Sequence, residues 1–203
     1  MMLTPTVLRE YDRSAPDSDQ LQTATFGVGC FWGPDAKFGG MEGIIRTRVG
    51  YAGGTKADPT YHSLGDHTEV VQIEYDPAVL GYAALLPEIF TSHNPRRQTG
   101  KRQYHNVVLT DSEAQTDAVW EYLETSPFDP DSVETRIEEL SQFYPAENYH
   151  QKYNLRSKRW AKKAFDEADY DPEQLRDSPA AAKLNAHVSG HDVDIPFLDA
   201  RNR

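Results

Sequence analysis

The chain holds one cysteine, Cys30, and it is the first residue able to do chemistry. Gly27 and Gly29 precede it and Phe31-Trp32-Gly33-Pro34 follows it. A thiol where a strand runs into a helix meets free N–H groups and the positive end of the helix dipole. Both favour the thiolate, the nucleophilic form. The commoner fate of a cysteine is burial as a small hydrophobe, so the placement carries this reading. Glu69 is the second candidate. Val71, Ile73 and Tyr75 share one strand parity, and Glu69 falls in with them, while Gln72 and Glu74 fall on the other. A carboxyl group on the apolar side has its pKa raised and can donate a proton near neutral pH. A strand beginning only at Val70 would leave Glu69 in a solvated loop instead. Phe31 and Trp32, in the first helical turn, can wall a small methyl-like group, although aromatic pairs more often pack a core. Tyr51, Tyr61 and Tyr104 offer phenolic donors among 11 tyrosines.

Other clusters promise less. His187 and His191, near Asp192 and Asp194, lack the closed ligand set of a structural zinc site, and no metal is expected. Arg156, Lys158, Arg159, Lys162 and Lys163 around Trp160 read as a solvated helix face.

The elements that must carry these residues follow from periodicity. Residues 1–22 are polar, with Pro5 and Pro16, and predict a flexible N-terminal arm. Ala24, Phe26, Val28 and Cys30 alternate as a strand, and Pro34 suits the first turn of a helix that Gly39 and Gly40 should stop near Phe38. Strands are predicted over residues 44–51, 67–75 and 103–109. A helix is predicted over 81–92, and another capped by Asp111. A short strand near 133–137 and helices within 145–169 extend the set. The order β-α-β-β-α-β predicts an α+β two-layer sandwich of the split βαβ (ferredoxin-like) type, with a mainly antiparallel sheet and helices packed on it. Residues 23–170 form the expected catalytic domain. Residues 171–203, rich in Pro, Ala and Asp, form a long polar C-terminal tail expected to wrap the surface.

Composition bounds what this unit can do. With 203 residues, 38% hydrophobic and 26% charged, the chain is globular and large enough to fold without disulfides or metal. A net charge of −11 repels phosphate backbones and anionic lipid, so neither nucleic acid nor membrane is expected as a partner. No apolar stretch is long enough to span a bilayer, and residues 1–14 do not read as a signal peptide. A lone cysteine excludes an intrachain disulfide. A cytoplasmic monomer is the expectation.

The motifs then converge. Gly29-Cys30-Phe31-Trp32-Gly33 is followed by Arg48-Val49-Gly50-Tyr51-Ala52-Gly53-Gly54, Pro59-Thr60-Tyr61 and Gly65-Asp66-His67-Thr68-Glu69-Val70-Val71. Tyr75-Asp76-Pro77, His93, Gln103-Tyr104 and Tyr144-Pro145-Ala146-Glu147-Asn148-Tyr149-His150-Gln151 come after them. In this order and spacing the chain resembles the A-type peptide methionine sulfoxide reductases over residues 23–153. The resemblance implies that Cys30 attacks the sulfur of oxidised methionine and becomes a sulfenic acid. It implies that Phe31 and Trp32 hold the S-methyl group, that Glu69 protonates the sulfoxide oxygen, and that Tyr61 and Tyr104 hydrogen-bond it. The S epimer would be the substrate, in oxidised proteins or peptides and in free form, with no bound cofactor.

Three departures qualify the resemblance. Many members carry a second cysteine that condenses with the sulfenic acid, whereas regeneration here requires an external thiol: a thioredoxin-like protein, glutaredoxin with glutathione, or a small thiol. The loop over 93–104 is short, carries Arg96, Arg97, Lys101 and Arg102, and lacks the aspartate that helps organise the site in many members. Asn148 stands where an aspartate is usual. Two other classes compete. A non-catalytic binding protein would keep the methyl pocket without turnover, and a general thiol peroxidase would prefer hydrogen peroxide to sulfoxide.

Overall fold

The computed structural model describes residues 3–198. Helix α1 (Pro5–Ser14) comes first, with Thr4 Oγ1 accepting the N–H of Val7 and Pro5 in its opening turn. Strand β1 (Gln22–Val28) leads through Cys30 into α2 (Trp32–Gly40). Strands β2 (Ile44–Ala52) and β3 (Thr68–Tyr75), helix α3 (Tyr82–Phe90), strand β4 (Asn106–Thr110) and helix α4 (Glu113–Thr125) follow. Short strands β5 (Arg136–Glu139) and β6 (Tyr144–Pro145) precede helices α5 (Tyr153–Ser157), α6 (Arg159–Glu167), α7 (Pro172–Asp177) and α8 (Pro179–Val188).

The sheet runs β5-β4-β1-β3-β2-β6. Its inner four strands are antiparallel neighbours in the split βαβ order; β5 joins β4 in parallel and β6 joins β2 antiparallel. On one face Ala24, Phe26, Val71, Ile73 and Val108 meet Phe38 of α2, Leu85, Leu86, Ile89 and Phe90 of α3, and Val119 and Leu123 of α4. Each of the Val, Leu, Ile and Phe side chains among them is worth roughly 1.5–3 kcal/mol on burial. The α+β reading and its antiparallel plan therefore stand.

The opposite face is partly polar. Leu140 and Phe143 cover Ala52, Val70, Val107 and Leu109. Beside them Arg46 and Arg48 reach Glu74 at 3.1 and 2.6 Å, and Arg46 Nε donates to the carbonyl of Asp177, docking the end of α7 on β2.

The two ends of the chain depart from expectation. Where a flexible arm was expected over 1–22, α1 is helical, Leu8 is fully buried, and Asp12 accepts the N–H of Ala180 at 2.8 Å. Where a polar surface tail was expected over 171–203, α7 and α8 form, and Ala180, Ala181, Ala182, Leu184 and Ala186 are all fully buried. Ala180, Ala181 and Leu184 join Leu8, Leu155, Ala161 and Phe165 in a second apolar cluster. Asp171-Pro172 and Ser178-Pro179 are N-cap and first-turn pairs, so the prolines that suggested loop in fact open helices. Residues 1–2 and 199–203 of those two segments lie outside the described residues.

Smaller differences have local causes. Gly39 and Gly40 do not stop α2 but complete it, because α8 packs there: a Cβ on Gly39 would stand 2.8 Å from the carbonyl oxygen of Ala182. Ser112 caps α4 through the N–H of Gln115, while Asp111 instead accepts from the hydroxyl of Thr23 at 2.7 Å. Residues 102–104 form a 3-10 turn rather than the start of β4.

Candidate active site

Between β1 and α2 the chain turns at Gly29, whose φ of +91° is a left-handed conformation that disfavours other residues. The turn presents Cys30 at the surface while Phe31, next in sequence, is buried. Burial of the surrounding turn pushes the Cys30 thiol above its ordinary pKa. The Trp32 N–H pulls it down and the negative charge of Glu69 pushes it up again. The expectation that a helix start would favour the thiolate is therefore reversed in the free protein: desolvation outweighs the helix N–H.

Glu69 lies on β3 opposite Tyr51 of β2, two pairs beyond the Val49–Val71 pair and so on the same face, where the apolar row ends in a carboxyl group. It is 1% exposed. Its Oε2 accepts the N–H of Phe31 at 3.2 Å and its Oε1 accepts Gln103 Nε2 at 2.7 Å. Burial raises its pKa, and these two donors oppose the rise without cancelling it. The alternative of a solvated loop residue is excluded.

The 3-10 turn at Arg102–Tyr104 explains how Gln103 and Tyr104 both reach the site. The Arg102 guanidinium fixes that turn by donating to the carbonyls of Asp66 and Gly53 at 2.7 and 2.9 Å. Tyr104 is pushed above the ordinary phenol pKa by burial, by the charges of Glu69 and Tyr61, by a hydrogen bond with Tyr61, and by the charge of Cys30. Cys30, Glu69, Tyr61 and Tyr104 thus form one electrostatic group, although they come from four separate segments. Arg96 and Arg97 are exposed; the Arg96 guanidinium turns to the carbonyl of Pro127, 3.5 Å away.

An aromatic wall flanks the group. Phe31 lies 6.4 Å from Trp32, 6.1 Å from Tyr51 and 5.2 Å from His150, centroid to centroid. Trp32 stacks on Tyr153 of α5 at 3.7 Å with the planes 5° apart. Exposed Tyr149 and Tyr153 edge the cleft. Glu147 anchors the far side: its Oε2 accepts the Tyr51 hydroxyl at 2.7 Å and its Oε1 the backbone N–H of Tyr61 at 2.9 Å.

Sequence reasoning named Tyr51 only as one phenol among several and gave Gln103, Glu147, His150 and Tyr153 no role. Gln103 was visible only as the neighbour of Tyr104. Glu147 and Tyr153 lie in or beside the motif over 144–151, yet their partners are roughly 90 to 120 residues away in sequence, which no local pattern reports. Among the described residues no group of three or more His, Cys, Asp or Glu is arranged to hold a metal ion, and no helix is long and apolar enough to cross a membrane.

Comparison with known proteins agrees with the geometry. The sequence profile of the family described as peptide methionine sulfoxide reductase matches residues 22–180. A peptide methionine sulfoxide reductase of Drosophila melanogaster is 40% identical over 171 residues, covering 83% of this chain and 68% of that protein. One from Methanococcoides burtonii is 38% identical over 145 residues, covering 66% of this chain and 95% of its own. Among solved structures, methionine sulfoxide reductase A of Corynebacterium diphtheriae superposes with a TM-score of 0.58 at 27% identity, over 71% of this chain and 77% of that one. A thiol, a buried carboxyl and paired phenols beside an aromatic wall, matched over most of the chain by relatives of one activity, place this protein in the peptide methionine sulfoxide reductase family.

Proposed function

We propose that this oxidoreductase of methionine sulfoxide acts on the S epimer through Cys30, with Glu69 as the acid and an external thiol as the reductant. The observation that carries the reading is the hydrogen bond from the Phe31 N–H to Glu69 Oε2, which ties the buried acid to the residue directly after the nucleophile. Phe31 and Trp32 receive the S-methyl group, and Tyr61 and Tyr104 donate to the sulfoxide oxygen.

The chemistry requires such a pairing. A sulfoxide oxygen is a poor leaving group until it is protonated, so a soft nucleophile and a proton donor must act on the same S–O unit. Glu69 in its neutral form gives its proton to that oxygen while the Cys30 sulfur attacks the substrate sulfur. The oxygen passes to Cys30 as a sulfenic acid, and methionine leaves with its sulfur reduced by two electrons. A first external thiol attacks the sulfenic acid, releasing water and forming a mixed disulfide. A second thiol resolves it, returning Cys30 and leaving an external disulfide. The overall change is one sulfoxide and two thiols to one thioether, one disulfide and one water.

With a single cysteine in the chain, the mixed disulfide must form with an outside thiol, be it a thioredoxin-like protein, glutaredoxin with glutathione, or a small thiol. Such a cycle needs a thiol-rich compartment, which supports a cytoplasmic location. Exposed Tyr149 and Tyr153 at the cleft edge suit a peptide or protein substrate. Every group used comes from one chain, so a monomer suffices.

The test is dithiothreitol-driven reduction of a peptide carrying either methionine sulfoxide epimer, with dimedone present to trap a sulfenic acid. Turnover of the S epimer alone, a trapped adduct on Cys30, and its loss in Cys30→Ser are expected. Binding without turnover would favour a non-catalytic homologue. Faster consumption of hydrogen peroxide than of sulfoxide would favour a peroxidase.

A further inference from the structure

Behind the cleft, Asp35 of α2 carries a carboxyl group that is wholly buried. Its N–H bonds to the carbonyl of Phe31 at 3.0 Å, so it belongs to the turn that presents Cys30, Phe31 and Trp32. Thr47 donates its hydroxyl to Oδ1, and Lys152 Nζ lies 3.4 Å from the same oxygen while also donating to the Thr47 carbonyl at 2.5 Å. The third partner comes from α8: Asn185 Nδ2 donates to Asp35 Oδ2 at 3.0 Å.

The other end of the same carboxamide reaches a different element. Asn185 Oδ1 accepts the N–H of Leu155 at 2.9 Å, in α5 two residues beyond Tyr153. One side chain, 0% exposed, therefore joins the first turn of α2 to the first turn of α5. Those two turns carry Trp32 and Tyr153, whose rings stack at 3.7 Å. The indole Nε1 of Trp32 has no protein hydrogen-bond partner among the described residues. The stack is consequently placed by where α2 and α5 begin. Asn185 lies beyond residues 22–180, the span matched by the family profile.

We propose that Asn185 is a positioning residue for the methyl pocket, holding the Trp32–Tyr153 stack in place through Asp35 and Leu155. The proposal rests on the reductase reading for what the pocket receives. Asparagine is the side chain the position demands, since it must donate to a carboxylate and accept from an N–H at once. An aspartate there would keep the acceptor for Leu155 but set a second carboxylate against Asp35. A serine is too short to bridge both. Losing the bridge lets the wall drift, which weakens substrate and transition-state binding alike and appears mainly in KM.

The test uses the full chain with Trp120→Phe and Trp160→Phe, which leaves Trp32 as the only indole. Asn185→Asp is expected to raise KM for a peptide methionine S-sulfoxide about tenfold, with kcat changed by less than about threefold. Its Trp32 emission should shift to the red as the stack loosens. The exchange Asp35→Asn with Asn185→Asp swaps carboxylate and carboxamide while keeping every donor facing an acceptor, and it should restore both readouts. Asn185→Ser, a milder change that keeps the fold if Asn185→Asp does not, should shift them in the same direction. Unchanged KM and emission in either folded variant, or an exchange that restores neither, would overturn the proposal. If the parent chain fails to reduce sulfoxide, the functional reading falls, while Trp32 emission still decides whether Asn185 places the stack.

Discussion

Glu69 Oε2 accepts the N–H of Phe31 at 3.2 Å, joining the central strand β3 to the residue directly after Cys30. This bond sets the Glu69 carboxyl and the Cys30 thiol on a common frame. The carboxyl has two donors, the Phe31 N–H on Oε2 and Gln103 Nε2 on Oε1. Burial holds its pKa up while the two donors hold it down, and burial prevails.

The pH dependence of turnover follows from that balance. As the proposed proton donor Glu69 acts only while protonated, and its folded pKa lies above the usual carboxylate value. The neutral acid is therefore fully present below that raised pKa and is lost as pH rises through it, giving the profile a falling alkaline limb, while thiolate formation at Cys30 limits the rate from the acid end. Glu69→Gln, which cannot ionise or donate a carboxyl proton, should lose about a hundredfold in kcat/KM and lose this limb of the profile. A drop of less than threefold would assign proton donation to another group.

Removing the same charge should act on the thiol. Cys30 is raised first by burial and further by Glu69, against the Trp32 N–H. The rate of iodoacetamide alkylation against pH should show a midpoint above that of an ordinary cysteine. In Glu69→Gln the midpoint should fall, because the opposing negative charge is gone. An identical midpoint in both proteins would mean that the two groups are not electrostatically coupled.

Glu147 is held below the usual carboxylate range. Burial opposes its charge, but the Tyr61 N–H, its own N–H and the Tyr51 hydroxyl together outweigh burial. Glu147→Ala releases the backbone of Tyr61 and should cut kcat/KM for a sulfoxide peptide about tenfold by misplacing that phenol. Glu147→Gln keeps an acceptor for the Tyr61 N–H and should lose clearly less. Equal losses in the two variants would show that charge, and not position, matters here.

Lys152 and Asp35 form a wholly buried ion pair. Lys152→Met leaves the carboxylate without its cation and should destabilise the protein by about 3–5 kcal/mol in urea unfolding. Adding Asp35→Asn removes the orphaned charge and should recover most of that loss. Without such recovery, the cost would have to be assigned to packing around the lysine stem.

Local pattern determined a good deal of this protein. The period-two run through Val71, Ile73 and Tyr75 placed Glu69 on the buried face, and alternation in β1 led to Cys30 at a strand–helix junction, because side-chain direction in a strand is fixed by parity alone. The split βαβ order was legible for the same reason. Tertiary structure decided the rest. Whether the helix N–H or desolvation sets the Cys30 thiol depends on the mass packed around the turn, and no spacing records that. Gln103 on Glu69, Glu147 on Tyr61 and Asn185 on Asp35 are contacts across 34, 86 and 150 positions. The Pro- and Ala-rich C-terminal stretch looked like solvated loop because its burial comes from fitting small side chains against Gly39 of α2. Composition shows that such residues are small; only the fold brings them a surface to pack on.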